Sequence, residues 1–175
     1  MTKSPVVVVD ASVAVAIVRD EREGPAASDL ITRRTQDGAR VVVPAHFWLE
    51  VANSLVVRRR WAGSKVLQAV HALDALRFET VELDRALLIL TIDTSERYGL
   101  TTYDAAYLAL ANSLDGSLMT LDVALRTAAG ARSMPVGTSK LSETPAVYEH
   151  DVTWPNYKGA SAFLAKLRAE AARPG

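Results

Sequence analysis

Val-Val-Val-Val-Asp-Ala-Ser-Val, residues 6–13, sets four β-branched residues in a row directly before a carboxylate. A continuous Val run without polar alternation predicts a strand buried on both faces, as in a parallel sheet covered by helices. Asp10 then falls at the carboxyl end of that strand. Ligand crevices in open α/β sheets lie beyond such ends, so this acid is either a helix cap or part of a site.

The 175 residues are 49% hydrophobic. No apolar run comes near the ~18 residues that a membrane span requires, so one globular domain off the membrane is expected. Twenty basic and twenty acidic residues cancel, which excludes a global field for nucleic acid and leaves only a local patch to bind it. The lack of cysteine excludes disulfides and thiolate metal sites and fits a reducing cytoplasm. Pro5 to Val9 is too short for a signal-peptide h-region.

Ala11 to Val18 reads as a helix capped by Ser12 or Asp10, and a charged break at 19–25 precedes a second helix from about Ala26 to Thr35. Asp37-Gly38 turns the chain into a second short buried strand, Val41-Val42-Val43-Pro44. Pro44 is expected to open a long helix on which Phe47, Val51 and Leu55 share a face that Arg58 could extend. Glu50 lies within this apolar neighbourhood, with His46 one turn back. Arg58-Arg59-Arg60-Trp61-Ala62-Gly63 ends the helix, Gly63 serving as the stop. Ser64 caps the next helix, to about Leu76. A brief strand within Phe78 to Leu83 follows, and Asp84 caps a helix that ends at Tyr98-Gly99.

Thr101 or Thr102 caps a buried Ala/Leu-rich helix with Asp104 in its first turn. Ser117 to Asp122 is a short strand ending on another acid, and Val123 to Ala129 a helix closed by Gly130. These elements make residues 1–132 a single α/β unit. From 133 to 175 the composition shifts to Pro, Ser, Thr and scattered aromatics. An extended arm is expected there, then an amphipathic helix bearing Ala160, Phe163, Leu164, Leu167 and Ala171, packed on the domain or on a dimer partner.

Asp10 and Asp122 end strands, Asp104 begins a helix and Glu50 sits within one. With parallel strands, strand ends and the starts of the following helices share one edge of the sheet. Carboxylates crowded together raise one another's pKa unless cations sit among them. Mg²⁺ or Mn²⁺ suits such oxygen ligands.

Val-Val-Asp-Ala-Ser at 8–12, Glu50 in a helix after a Pro-containing strand end, Thr-Tyr-Asp-Ala-Ala-Tyr-Leu-Ala-Leu-Ala at 102–111 and Leu-Met-Thr-Leu-Asp at 118–122 resemble the PIN-domain ribonucleases. Within that family the chain is most similar to the VapC toxins of bacterial toxin-antitoxin pairs. The resemblance runs from about Val6 to Ala129. It implies a three-layer α/β/α domain with a central, mainly parallel sheet. It also implies metal-dependent endonucleolytic cleavage of RNA, with Asp10, Glu50, Asp104 and Asp122 as metal ligands. Ser12 and Thr120 match the family's small hydroxyl positions, which hydrogen-bond the acids or a bound water. A small antitoxin partner and a homodimer are further implications. Val123 and Ala124 depart from the charged residues that many relatives carry after the last acid. The tail is longer than a minimal toxin needs, which suggests an added interface.

Singly, Asp10 could be a cap and Asp104 a first-turn acid favoured by the helix dipole. Glu50, among Phe47, Leu49, Val51 and Leu55, has few structural excuses. Asp20, Asp37, Asp74, Asp84 and Asp115 stand in turns, caps or helix surfaces and carry no chemistry. His46 is i−4 from Glu50, but without a second His the pair reads as a first-turn surface residue beside an acid. Arg58, Arg59, Arg60 and Trp61 either track an RNA backbone and stack a base or simply complement a helix C-terminus. Rival functions are a non-catalytic PIN-like module that binds RNA or protein, and an RNA-processing nuclease outside a toxin-antitoxin pair. An aspartyl-nucleophile phosphatase would want an acid where Ser12 stands. No Gly-rich phosphate loop follows either Val strand, which argues against nucleotide binding.

Overall fold

A computed structural model describes residues 4–136. Strand β1 (Val6–Val9) is the centre of a five-stranded sheet of order β3-β2-β1-β4-β5. Its neighbours are β2 (Arg40–Pro44) and β4 (Ser117–Met119), flanked by β3 (Glu79–Val81) and β5 (Ser133–Met134). All four pairings are parallel, with Val8 opposite Val42 on one side and Leu118 on the other. All of β1 is buried, as an uninterrupted Val run requires of a strand covered on both faces.

The helices are α1 (Ala11–Val18), α2 (Gly24–Gln36), α3 (Phe47–Asn53), α4 (Gly63–Asp74), α5 (Arg85–Tyr98), α6 (Thr102–Leu114) and α7 (Val123–Ala129). From β1 the chain steps outward to β2 and β3, returns across the sheet to β4, and steps out to β5. Right-handed crossovers therefore place α1 to α4 on one face and α5 to α7 on the other. Helix α1 touches α2, α3 and α4, while α6 packs on α5, α7 and three strands. The result is the three-layer α/β/α arrangement expected from sequence. Among the described residues no helix is long and apolar enough to cross a membrane.

Several local features decide where the site residues lie. Gly24 opens α2 because a Cβ there would stand 2.5 Å from the Ala16 carbonyl oxygen. Pro44 closes β2 instead of opening a helix, since its lack of an N–H is tolerated at a strand end and α3 starts only at Phe47. The expected face of Phe47, Val51 and Leu55 is fully buried, on the order of 1.5–3 kcal/mol for each side chain. Phe47 meets Phe78 edge-on at 5.4 Å and Trp48 donates to Thr80 Oγ1 at 3.1 Å, which anchors α3 beside β3.

The helix does not run on to Gly63. It widens into a π turn over Ser54–Arg58, and Arg60 leaves it with a left-handed φ of 55°. Gly63 is the first residue of α4, with Ala62 before it as N-cap, so neither Gly63 as stop nor Ser64 as cap holds. Strand β5 begins where the sequence placed the start of an extended arm. The rest of that arm and the amphipathic helix expected at 160–171 lie outside the described residues.

Candidate active site

The order of strands reverses at β1, so the crevice between the carboxyl ends of β1 and β4 is the topological switch point at which open α/β sheets bind ligands. Asp10 stands at one lip, immediately after β1, with its backbone N–H bonded to the Met119 carbonyl at 3.0 Å. It is the N-cap residue of α1, yet its side chain makes no capping bond. Instead Oδ2 accepts from Ser12 Oγ and, at 2.8 Å, from Thr120 Oγ1. Each hydroxyl in turn accepts a backbone N–H, Ser12 from Leu121 and Thr120 from Asp122, both at 3.0 Å. These bonds fix the carboxylate and lash the β4–α7 loop to the end of β1.

Asp10 is 5% exposed. Burial pushes its carboxyl above the ordinary value, the Ser12 and Thr120 hydrogen bonds pull it back, and the charge of Asp104 pushes it up again.

Asp104 sits in the first turn of α6, whose N-cap is Thr101. The Thr101 hydroxyl accepts the Asp104 N–H at 3.2 Å and donates to Asp104 Oδ2 at 2.6 Å, a reciprocal bond that aims the carboxylate along the helix start.

Glu50 reaches the same edge from α3. Its Oε2 accepts the hydroxyl of Tyr107, one turn inside α6. The Tyr107 side chain is fully buried, and burial first, then the Glu50 and Asp10 charges, push its phenol far above the ordinary value, so it remains a donor. The Glu50 carboxyl is likewise raised, chiefly by burial and further by Asp10 and Asp104, while Tyr107 and Arg58 oppose the shift. Three of the four acids thus feel one another's charge.

His46 is the correction. It is not a free surface residue: Nε2 donates to the Tyr103 carbonyl at 3.2 Å, the ring meets Tyr107 edge-on at 5.0 Å, and Nε2 lies 3.6 Å from Glu50 Oε2. Burial lowers its pKa, so it stands by Glu50 as a neutral ring and not as an ion-pair partner. Tyr107 is the other residue whose part sequence reasoning missed. Its signal was a phenol in an otherwise apolar buried helix, which must find a hydrogen-bond partner.

Asp122 stands apart. It follows β4 by three residues, and its Oδ1 caps α7 by accepting the Leu125 N–H at 2.7 Å. The structure therefore brings Asp10, Glu50 and Asp104 into mutual electrostatic reach with Ser12, Thr120, Tyr107 and His46 around them. Asp122 is engaged at a helix start. Among the described residues no three His, Cys, Asp or Glu side chains are grouped closely enough to grip a metal ion as they stand.

Trp61, half-buried, carries Lys65 Nζ over its ring at 3.9 Å, so that face is already covered.

The fold resembles that of PAE2754 from Pyrobaculum aerophilum, with a TM-score of 0.56 and 20% identity over 94% of this chain and 90% of that one. A chain from a toxin-antitoxin complex of Klebsiella pneumoniae gives a TM-score of 0.48 and 17% identity over 66% of this chain and 86% of that one. No curated protein matches the sequence. Residues 7–131, which run from within β1 to just past α7, match the PIN domain, and this chain belongs to that family, whose members are generally nucleases.

Proposed function

We propose that this chain is a divalent-metal-dependent endoribonuclease and the toxin of a toxin-antitoxin pair, its edge acids holding Mg²⁺ or Mn²⁺. The supporting observation is Asp10. It is a carboxylate buried at the switch point, held by two hydroxyls and facing the charges of Asp104 and Glu50, and among the described residues no basic side chain pairs with it. A fold that carries an unpaired buried acid pays for it in stability, and a hard cation removes that cost.

The donor chemistry fits such an ion: carboxylate oxygens, with no sulfur and no charged nitrogen among them. Asp10, Glu50 and Asp104 would hold it, with Asp122 at the rim. When bound, it lowers the pKa of a water and offsets charge on the leaving oxygen. The chain's own part is positional. Ser12 and Thr120 fix Asp10, Thr101 aims Asp104, and Tyr107 holds Glu50, so that the negative edge is set before a phosphodiester arrives. The spacing of the acids supports a second reading, a PIN-like module that binds RNA or protein without cutting, because as they stand no three of them are grouped to grip an ion.

The test is cleavage of total RNA by the purified chain with Mg²⁺, with Mn²⁺ and with EDTA, beside Asp10→Asn and Asp104→Asn variants checked for wild-type melting. Discrete metal-dependent fragments that vanish in both variants support the nuclease. Uncut RNA in every condition, with a melting temperature that metal leaves unchanged, supports the binding module. The toxin role is tested by growth arrest on expression and its relief by a small protein encoded alongside. The homodimer is tested by sedimentation.

A further inference from the structure

Helix geometry separates the three arginines that follow α3. In an unbroken α-helix the eight residues from Glu50 to Arg58 would turn about 800°, leaving Arg58 about 80° off the Glu50 row. The π turn at Ser54–Arg58 closes i→i+5 and so inserts one residue. Eight residues then turn like seven, about 700°, and Arg58 comes back to within about 20° of Glu50. That row faces the acid edge, because Glu50 reaches Tyr107 from it.

Arg59 and Arg60 step away from this row, and Arg60 turns the chain out of the helix at its left-handed φ. Among the described residues Arg58 is also the one cation whose charge acts on Glu50. It is exposed, and among the described residues it forms no salt bridge, in contrast to Arg19, Arg40 and Arg132. An edge of three carboxylates repels a phosphodiester, so a cation placed beside it and left uncommitted has a use there. A guanidinium fork matches phosphate oxygens two at a time.

We propose that Arg58 is a substrate-positioning residue that grips an RNA backbone phosphate next to the bond presented to Asp10, Glu50 and Asp104, and that the π turn sets it there. This rests on the ribonuclease reading. Arg59 and Arg60 do not share the role.

The experiment uses the full chain in Mg²⁺ with a fluorescein-labelled single-stranded RNA, reading anisotropy from low to high salt in an Asp10→Asn background and cleavage kinetics without it. Arg58→Ala is expected to weaken binding about tenfold. It should also flatten the salt slope by about 0.7, one phosphate on a single strand. KM should rise more than kcat falls, and Arg58→Lys should restore the slope but only part of the affinity. Arg34→Ala, in the last turn of α2 at the opposite edge of the sheet, should match the parent.

A slope unchanged by Arg58→Ala, or changed as much by Arg59→Ala or Arg60→Ala, overturns the proposal while leaving the ribonuclease reading intact. A wild-type chain that neither binds nor cuts the RNA overturns both.

Discussion

Asp10 and Asp122 stand in matching places. Each follows an apolar strand of one sheet, the two strands are neighbours, and each is the N-cap residue of the next helix. Their carboxylates are nonetheless used in opposite ways. Asp122, exposed, caps its helix through the Leu125 N–H, whereas Asp10, buried, leaves its helix uncapped and turns to two hydroxyls. The difference lies two residues on. Ser12 follows Asp10 and supplies a donor that competes with the helix N–H groups, with Thr120 arriving from the next strand as a second. Ala124 follows Asp122 and offers none, so the carboxylate takes the ordinary capping place. A strand-end acid is thus a cap by default and is released from capping when neighbouring hydroxyls draw it away from the helix.

The largest effect that would separate the two acids is on Asp10→Asn. Metal-dependent cleavage should fall by more than about 100-fold, the upper end of what outer partners of a metal cost when removed. Stability should move the other way. Burial raises the Asp10 carboxyl above its ordinary 3.8, so folding favours the protonated form. That favourable contribution is complete below the ordinary value and lost as pH rises through the higher folded one. In metal-free buffer the melting temperature of Asp10→Asn should therefore gain on wild type as pH climbs from about 4 to neutrality. A gap independent of pH would mean that Asp10 is not a charge held at a cost.

A smaller effect is expected of Thr120→Val, which keeps the shape and removes the hydroxyl shared by Asp10 and the Asp122 N–H. Cleavage should drop about 10- to 100-fold, and chemical denaturation should show a loss of about 1–2 kcal/mol for two hydrogen bonds. Tyr107→Phe tests the same idea at Glu50. The carboxyl loses a bond that lowers its pKa, so activity should fall by about 10-fold or more, and the acid limb of the pH–rate profile should move to higher pH. Full activity in both variants would reduce the framing of the acids to packing.

What could be read from sequence divides along the same line. Val6–Val9 and Val41–Val43 were legible as buried strands because burial on both faces leaves an unbroken β-branched signature. Phe47, Val51 and Leu55 were legible because one buried helix face repeats every three to four residues. Parallel topology alone set Asp10, Asp104 and Asp122 at one edge and left Glu50 to reach in from its helix. The π turn was not legible: it depends on how the end of α3 packs, and Ser54-Leu-Val-Val-Arg58 carries no breaker. The Glu50–Tyr107 and His46–Tyr103 bonds each join residues 57 apart, a pairing that no local pattern encodes. The Asp122 cap was hidden by the likeness of its setting to that of Asp10.

The smallest effects are expected at Asp122, and a pair of variants divides its two uses. Asn caps a helix about as well as Asp, whereas Ala does not. Asp122→Ala should therefore cost about 1 kcal/mol in denaturant melts, and Asp122→Asn close to nothing. Activity sorts differently, because Asn keeps the cap but surrenders the charge that would draw a cation. If Asp122 serves the edge only by starting α7 and keeping its own N–H on Thr120, Asn should retain activity within about threefold and Ala should lose somewhat more, the order following stability. If the carboxylate also holds the ion at the rim, Asn should lose about 10-fold or more and shift the Mg²⁺ titration to higher concentration at unchanged stability. In the first outcome the two strand-end acids differ in kind. In the second, Asp122 leaves its cap when the cation arrives, and the contrast with Asp10 belongs to the metal-free edge alone.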